Sequence, residues 1–200
     1  MARNKDLNKQ MRDERREQIL SNALRLFAVN GLAATKISDI ATISGFSQGL
    51  IYHYFRSKED IFTELIREAF GKLNHAAREL EKLPVPPREK IKIALEELLK
   101  SFEKSENFAL SHLLIAQATV SDAIPKEAKK IIAAENMVPY EIITRIIIEG
   151  QKDGSIKQFD SNDLALVFWT SVKGLAMHRA AHGKKYKTPD KNILMSMFFT

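Results

Sequence analysis

Apolar residues recur along this chain with the period of an α-helix. Ile19, Ala23, Leu26 and Phe27 fall at i, i+4, i+7 and i+8, one stripe of an amphipathic helix. Asn30-Gly31 stops it, because glycine tolerates the left-handed backbone that follows a helix end. Ser57-Lys58-Glu59-Asp60 reads as a capping box, and Ile61, Phe62, Leu65, Ile66, Ala69, Phe70 and Leu73 continue one face beyond it. Pro84-Val85-Pro86-Pro87 ends that region, since proline lacks the donor and clashes with the preceding turn. Ile91, Leu95, Leu98, Leu99 and Phe102 form the next stripe, and residues 108–118 are apolar on almost every side, as a helix buried all round would be. Residues 126–152 are helical by period, kinked at Pro139 and stopped by Gly154. Residues 161–183 start at Ser161 as cap and end at Gly183, and Ile193 to Phe199 closes the chain. No segment reads as a strand. The pattern predicts an all-α protein of about nine helices, in which a compact unit of three short helices precedes a longer, more apolar set.

One stretch, ISDIATISGFSQGLIYHYF at 37–55, has a different texture. Ile37, Ile40 and Ala41 share a face, Gly45 follows four residues after Ala41, and Ile51 six after Gly45. That spacing suits a helix-turn-helix: a small Ala41 at the crossing, a glycine for the sharp turn, and Ile51 burying the second helix on the first. Ser47 is a plausible N-cap, leaving the amides of that helix start to face an anion. Leu50, Ile51 and Phe55 point inward; Gln48, Gly49, Tyr52, His53 and Tyr54 are left outside. Gln pairs with adenine edges, and tyrosine or histidine reaches phosphates or bases, so this short helix suits the DNA major groove. The alternative is an aromatic core cluster, which holds for Phe46 and Phe55. Lys58, at the next helix start, supplies a phosphate contact beside that helix's amides.

From Ile19 to Leu65 the sequence ILSNALRLFAVNGLAATKISDIATISGFSQGLIYHYFRSKEDIFTEL resembles the tetracycline-repressor (TetR) family of transcriptional regulators. The G-x-x-x-T-x-I-x-x-I-A entry, the Ser-x-Gly-x-Ile-Tyr helix and the Tyr-Phe-x-Ser-Lys-Glu exit occur in one register, over about a third of the chain. The resemblance implies DNA contacts at Thr35, Lys36, Ser47, Gln48, Gly49, Tyr52, His53, Tyr54 and Lys58. Leu50 stands where many members carry a small hydroxyl residue, which leaves an apolar contact to a thymine methyl. The implied organisation is a flexible arm at 1–11, a helix-turn-helix DNA-binding domain at 12–72 and an effector-binding and dimerisation domain at 73–200.

Composition changes this picture little. The formal charge is +6 and the pI about 9.4. Residues 1–66, however, carry 10 Lys+Arg against 8 Asp+Glu, so the excess is not gathered at one end. Global charge is therefore weak support for a nucleic-acid partner, and local placement carries the case. The absence of cysteine removes disulfides, thiolate nucleophiles and cysteine-based metal sites, and is compatible with a reducing cytoplasm. No apolar run reaches the roughly 18 residues a bilayer span needs, and the N-terminus lacks a secretory apolar core, so the expectation is a cytoplasmic protein without a membrane partner. The tail Arg3, Lys5, Lys9, Arg12, Arg15, Arg16 is interleaved with acids and reads mainly as a solvated helix face, with a minor-groove arm as the sharper alternative.

Enzyme readings fare poorly: there is no G-x-S-x-G, no P-loop and no G-x-G-x-x-G after a strand. His178 and His182 sit i, i+4 on one helix but lack the H-E-x-x-H glutamate, and Arg179 follows His178, so neither a metal nor a cofactor is expected. A reading helix contacts few base pairs, so a homodimer on a palindromic operator of double-stranded DNA is expected. Its interface is placed on the last two apolar helices, at Leu164, Phe168, Val172, Leu175, Ala176 and Ala180, then Ile193, Met197 and Phe198; intrachain core is the alternative. A cavity for an unknown small-molecule effector, apolar with a few polar anchors, is placed at Phe108, His112, Ile115, Met137, Tyr140, Trp169 and His178. The competing function is a helical small-molecule-binding or scaffold protein whose N-terminal unit contacts protein.

Overall fold

The computed structural model describes residues 2–199, with the side chains of residues 2–6 and 8 outside that description. Among the described residues ten α-helices follow one another: α1 (Ala2–Ala34), α2 (Ile37–Ser44), α3 (Gln48–Tyr54), α4 (Lys58–Lys82), α5 (Pro87–Lys104), α6 (Glu106–Val120), α7 (Lys126–Glu135), α8 (Val138–Lys152), α9 (Ser161–His182) and α10 (Lys191–Phe198). A 3-10 turn at Gly183–Lys185 follows α9, and the sole extended pairing among those residues is an isolated bridge between Ile156 and Phe199. The all-α expectation holds. α1 starts at Ala2, so the segment expected as an arm is helical from residue 2; Met1 and the side chains of Arg3 and Lys5 lie outside the described residues.

The punctuation acts largely where the sequence put it, with three refinements. Gly31 takes φ 81°, ψ 163° and breaks α1 at the Asn30-Gly31 stop, although helical turns resume to Ala34. Pro139 does not kink one long helix: the chain breaks at Asn136–Met137, and Pro139 sits in the first turn of α8, where its missing amide costs nothing. That break supplies the tenth helix. α9 is capped by Asp160 rather than Ser161; the Asp160 carboxylate accepts the amides of Asn162 at 2.8 Å and Asp163 at 3.1 Å.

Burial divides into two clusters. The first gathers Ile19, Ala23 and Phe27 of α1, Ile37 and Ile40 of α2, Ile51 of α3, Ile61 to Phe70 of α4, and Leu110, Leu114 and Ile115 of α6. The second holds Ile91, Leu95 and Phe102 of α5, Ile142 to Ile147 of α8, Phe168, Trp169 and Ala176 of α9, and Phe198 of α10. α4 enters both, through Phe70 on one side and Ala77 on the other, and Leu73 packs against each.

The second cluster is closed by a tight contact. A Cβ built on Gly150 of α8 meets Ile156 Cδ1 at 2.5 Å, Ile156 Cγ1 at 2.7 Å and Pro87 Cβ at 3.1 Å. Gly150→Ala is therefore expected to destabilise by about 1–3 kcal/mol in urea unfolding. Pairing it with Ile156→Val, which removes Cδ1, should recover part of that loss; full stability in the single variant contradicts the packing.

Candidate nucleic-acid interface and effector cavity

The turn between α2 and α3 is set by Gly45, at φ 69°, ψ 25°. Its amide donates to Thr42 O at 3.2 Å and the Phe46 amide to Ala41 O at 3.0 Å, the two bonds of a Schellman ending that a side chain at positive φ would strain. Ser47 Oγ then accepts the Leu50 amide at 3.2 Å and starts α3. α1 grips the end of α2: Gln18 Nε2 donates to Ser44 O at 3.0 Å and Asn22 Nδ2 to Ser44 Oγ at 3.2 Å. Ile51 is fully buried against Ile37, Ile40 and Ala41, so α3 has one way to sit.

What α3 shows to solvent is then fixed. Gln48, Gly49, Tyr52 and His53 are exposed, with Tyr52 54% accessible, and Ser47 and Lys36 are exposed beside them. Tyr54 is half-buried, packs against the first core and meets the His53 ring edge-on at 5.4 Å. Two of the sequence-derived contact residues lie elsewhere. Thr35 is buried, its hydroxyl donating to Gly31 O at 2.8 Å. The Lys58 ammonium donates to Leu32 O and Thr35 O at 2.8 Å and to Ala33 O at 3.2 Å. It thus ties α4 to the carbonyl end of α1, where a cation is favoured by the helix dipole. Nothing in the sequence marks this; a lysine at a helix start reads equally as a phosphate contact. Asp60 accepts the Ser57-capped turn's neighbour, the Arg56 amide, at 3.1 Å, and Ser57 Oγ accepts the Asp60 amide at 3.2 Å.

Arg16 braces the same unit from behind. Its guanidinium reaches Glu64 at 2.5 Å and Glu68 at 3.2 Å and lies 5.5 Å from the Phe55 ring centre. Burial opposes its charge, but the hydrogen bonds to Glu68 and Glu64 outweigh that and raise its pKa.

A cavity of about 370 Å³ opens between α4 and α5. α4 contributes Leu73, Ala76, Ala77 and Leu80, α5 contributes Ile93, Ala94 and Leu98, and Phe108, Ile143, Phe168 and Trp169 close it. Next to it, a hollow of about 20 Å³ is lined by Phe70, Leu73, His112, Ile115, Tyr140, Trp169 and Lys173, among others. Phe108 and Trp169 thus line the cavity, and His112, Ile115, Tyr140 and Trp169 the hollow. Met137 is exposed and lines neither. His178 is exposed too, its ring stacked 3.9 Å from His182 rather than converging with it on a shared point. Of the α5 lining only Leu98 belongs to the stripe read from the sequence; Ile93 and Ala94 lie beside that stripe and were not singled out.

His112 is 7% exposed. Its Nδ1–H donates to Phe108 O at 2.9 Å, since a carbonyl only accepts, which leaves Nε2 as an acceptor. That Nε2 is buried with no partner among the described residues. Burial holds the imidazole pKa below its usual range; the bond to Phe108 opposes this, and the Lys173 charge adds to it.

The expected dimer residues split in two. Leu164, Phe168, Val172, Ala176 and Phe198 are buried in the chain's own core, and Leu175 and Ala180 are half-buried. Ile193 and Met197 are exposed, and they are joined by Leu166 and Met177 on the outer side of α9, which the sequence reading passed over.

Two short helices held at a fixed crossing, the second with an exposed polar and aromatic face, define a helix-turn-helix protein. Residues 19–65 match the family model described as "Bacterial regulatory proteins, tetR family". Over 164 residues, 80% of this chain and 78% of the relative, it is 29% identical to the HTH-type transcriptional repressor KstR2 of Rhodococcus jostii (strain RHA1). The crystal structure of the MbdR regulator from Azoarcus sp. CIB superposes with a TM-score of 0.78 at 23% identity, covering 90% of this chain and 95% of that one. The transcriptional regulator FadR from Bacillus subtilis, in complex with stearoyl-CoA, superposes with a TM-score of 0.63 at 23% identity, covering 90% and 94%. These likenesses support the coarse reading of a DNA-binding transcriptional regulator.

Two outcomes are expected from the site's interior. Lys58→Met strips the end of α1 of its cation and should lower stability by about 1–3 kcal/mol in thermal or urea unfolding. Because burial holds the folded-state pKa of His112 below the ordinary histidine value of about 6.5, the unfolded chain takes the proton first. The stability from neutral His112 is thus present above about pH 6.5 and declines as the pH falls below it. Urea midpoints measured from about pH 7.5 down to about pH 5 should show this slope in the wild type and a flatter one in His112→Leu.

Proposed function

We propose that the protein is a homodimeric repressor that reads a palindromic operator through α3 and releases it when a small-molecule effector enters the α4–α5 cavity. The observation that carries the reading is the α3 face: Gln48, Tyr52 and His53 stand exposed on a helix that Gly45 and Ile51 hold in one orientation. In this reading Gln48 and Tyr52 meet base edges, while Lys36, Ser47 and His53 meet phosphates, and Gly49 lets the backbone approach. Tyr54, Thr35 and Lys58 act from behind, holding the ends of α1, α2 and α3 in register. Residues 12–72 form the DNA-binding domain and 73–200 the effector and dimer domain, with the boundary running through α4 rather than through a loop.

Dimerisation sets the two reading helices about 34–36 Å apart, one helical turn of DNA. The exposed apolar residues Leu166 and Met177 of α9 and Ile193 and Met197 of α10 support that face as the interface. Support for an effector comes from the mostly apolar cavity and from the FadR relative's complex with stearoyl-CoA. An effector shifts the operator affinity only if it binds the non-reading arrangement better than the reading one. α4 supplies the route, because Leu73, Ala76, Ala77 and Leu80 line the cavity while Ile61, Phe62 and Leu65 of the same helix share one core with Ile37, Ile40 and Ile51 of α2 and α3.

Selection from random DNA followed by binding titration tests this. The enriched site should be a palindrome, and Tyr52→Ala or Gln48→Ala should weaken binding to it by about 1–3 kcal/mol with unchanged thermal unfolding. Met177→Glu should yield a monomer by sedimentation that no longer holds the palindrome. Failure to enrich any sequence would favour the scaffold alternative, and wild-type affinity in both α3 variants would move the reading face elsewhere.

A further inference from the structure

The hollow beside the main cavity has a specific hydrogen-bonding demand. His112 Nδ1–H is spent on Phe108 O, so Nε2 accepts only, and whatever faces it has to bring a proton. Lys173 Nζ donates to Tyr140 Oη at 2.8 Å and lies 5.2 Å from the Tyr140 ring centre; its further protons ask for a lone pair. A hollow of about 20 Å³ admits one group the size of a water or hydroxyl oxygen.

We infer that the effector carries an alcoholic or phenolic hydroxyl at its buried end, seated between His112, Tyr140 and Lys173, with its apolar body in the cavity of about 370 Å³. This rests on the reading of that cavity as the effector site. A hydroxyl has one proton and two lone pairs, so it donates to His112 Nε2 and accepts from Lys173 Nζ at once. A ketone or ester oxygen has no proton for His112. An ammonium has no lone pair for Lys173 and is repelled by it. A carboxylate satisfies Lys173 but brings no proton and has one oxygen too many for the hollow. The body of the molecule is apolar because the cavity wall is: Glu79, Glu97 and Ser101 are its polar residues, and the two glutamates are already paired, with Lys82 at 2.9 Å and Lys100 at 3.0 Å. Leu73 and Trp169 line both spaces, so the two are adjacent and the proposed hydroxyl enters the hollow at these residues.

Trp169 is the chain's one tryptophan, and its fluorescence reports on both spaces directly. The probes are para-hexylphenol, hexylbenzene and para-hexylbenzoate, titrated by fluorescence and calorimetry against full-length wild type, His112→Leu and Lys173→Met. The phenol should bind wild type at least ~10-fold more tightly than hexylbenzene, because the unprotonated analogue leaves Nε2 unpaired. That preference should collapse in His112→Leu, whose hexylbenzene affinity stays equal or improves. Lys173→Met, a change at a half-buried position, should shrink the preference as well and serves where His112→Leu fails to fold. Equal binding of phenol and hexylbenzene to wild type, or an undiminished preference in both variants, overturns the hydroxyl assignment. Tighter binding of the benzoate overturns it in favour of an acid. If none of the three binds, the effector-cavity reading itself fails, and the hydroxyl assignment falls with it.

Discussion

α4 is buried at both of its ends in different surroundings, and the rest of the molecule depends on that constraint. Its first turns are wedged among α1, α2 and α3 through Ile61, Phe62 and Ile66, and its later turns face α5, α8 and α9 through Ala77. Interiors are packed to crystalline density and deform little, so a helix fixed in two cores moves as a rod. The polar contacts reinforce it. Arg16 links α1 to Glu64 and Glu68, and Lys58 binds the last carbonyls of α1, so α4 is attached to α1 at two points about two turns apart along its own axis. Whatever displaces its far end is therefore felt in the core that α2 and α3 share with it.

Local signals were the legible part. Gly45, Ser47 and Ile51 specify their turn, cap and crossing through backbone rules that need no distant partner, and the structure places each of them so. The helix count slipped at Pro139 because proline fits both a kink and a first turn, and the choice between them is made by what packs around Asn136 and Met137. Longer-range roles were not legible. Lys58 and Thr35 point back at α1 because of where α1 ends in space, which no periodicity encodes.

The same limit governed the C-terminal half. Leu164, Phe168, Val172 and Ala176 form the strongest apolar stripe of α9, and a strong stripe is what a buried helix shows whether the cover is its own chain or a second copy. Here α6 and α8 cover it. The weaker, mixed face with Leu166 and Met177 is the one left open. His112 illustrates the opposite case. In an apolar run, a histidine reads as core or as anchor; here one nitrogen is satisfied by its own helix and the other is buried without a partner among the described residues.

The placement of Lys58 and Arg16 has a consequence for how such a head finds its target. Lys58, which the sequence reading assigned to DNA, and Arg16, which it read mainly as a solvated helix face, are both held inside the protein, one by three carbonyls and one by two carboxylates. Each cation withheld from phosphate removes about one counterion's worth of release from binding any duplex, matched or not. Non-specific residence is shortened accordingly, while contacts at base edges are untouched. Under the proposed function, such a protein gives up grip on bulk chromosome and keeps more of its copies free to search, so occupancy of a scarce site would rest on the fit of α3 and little on the pull of the backbone.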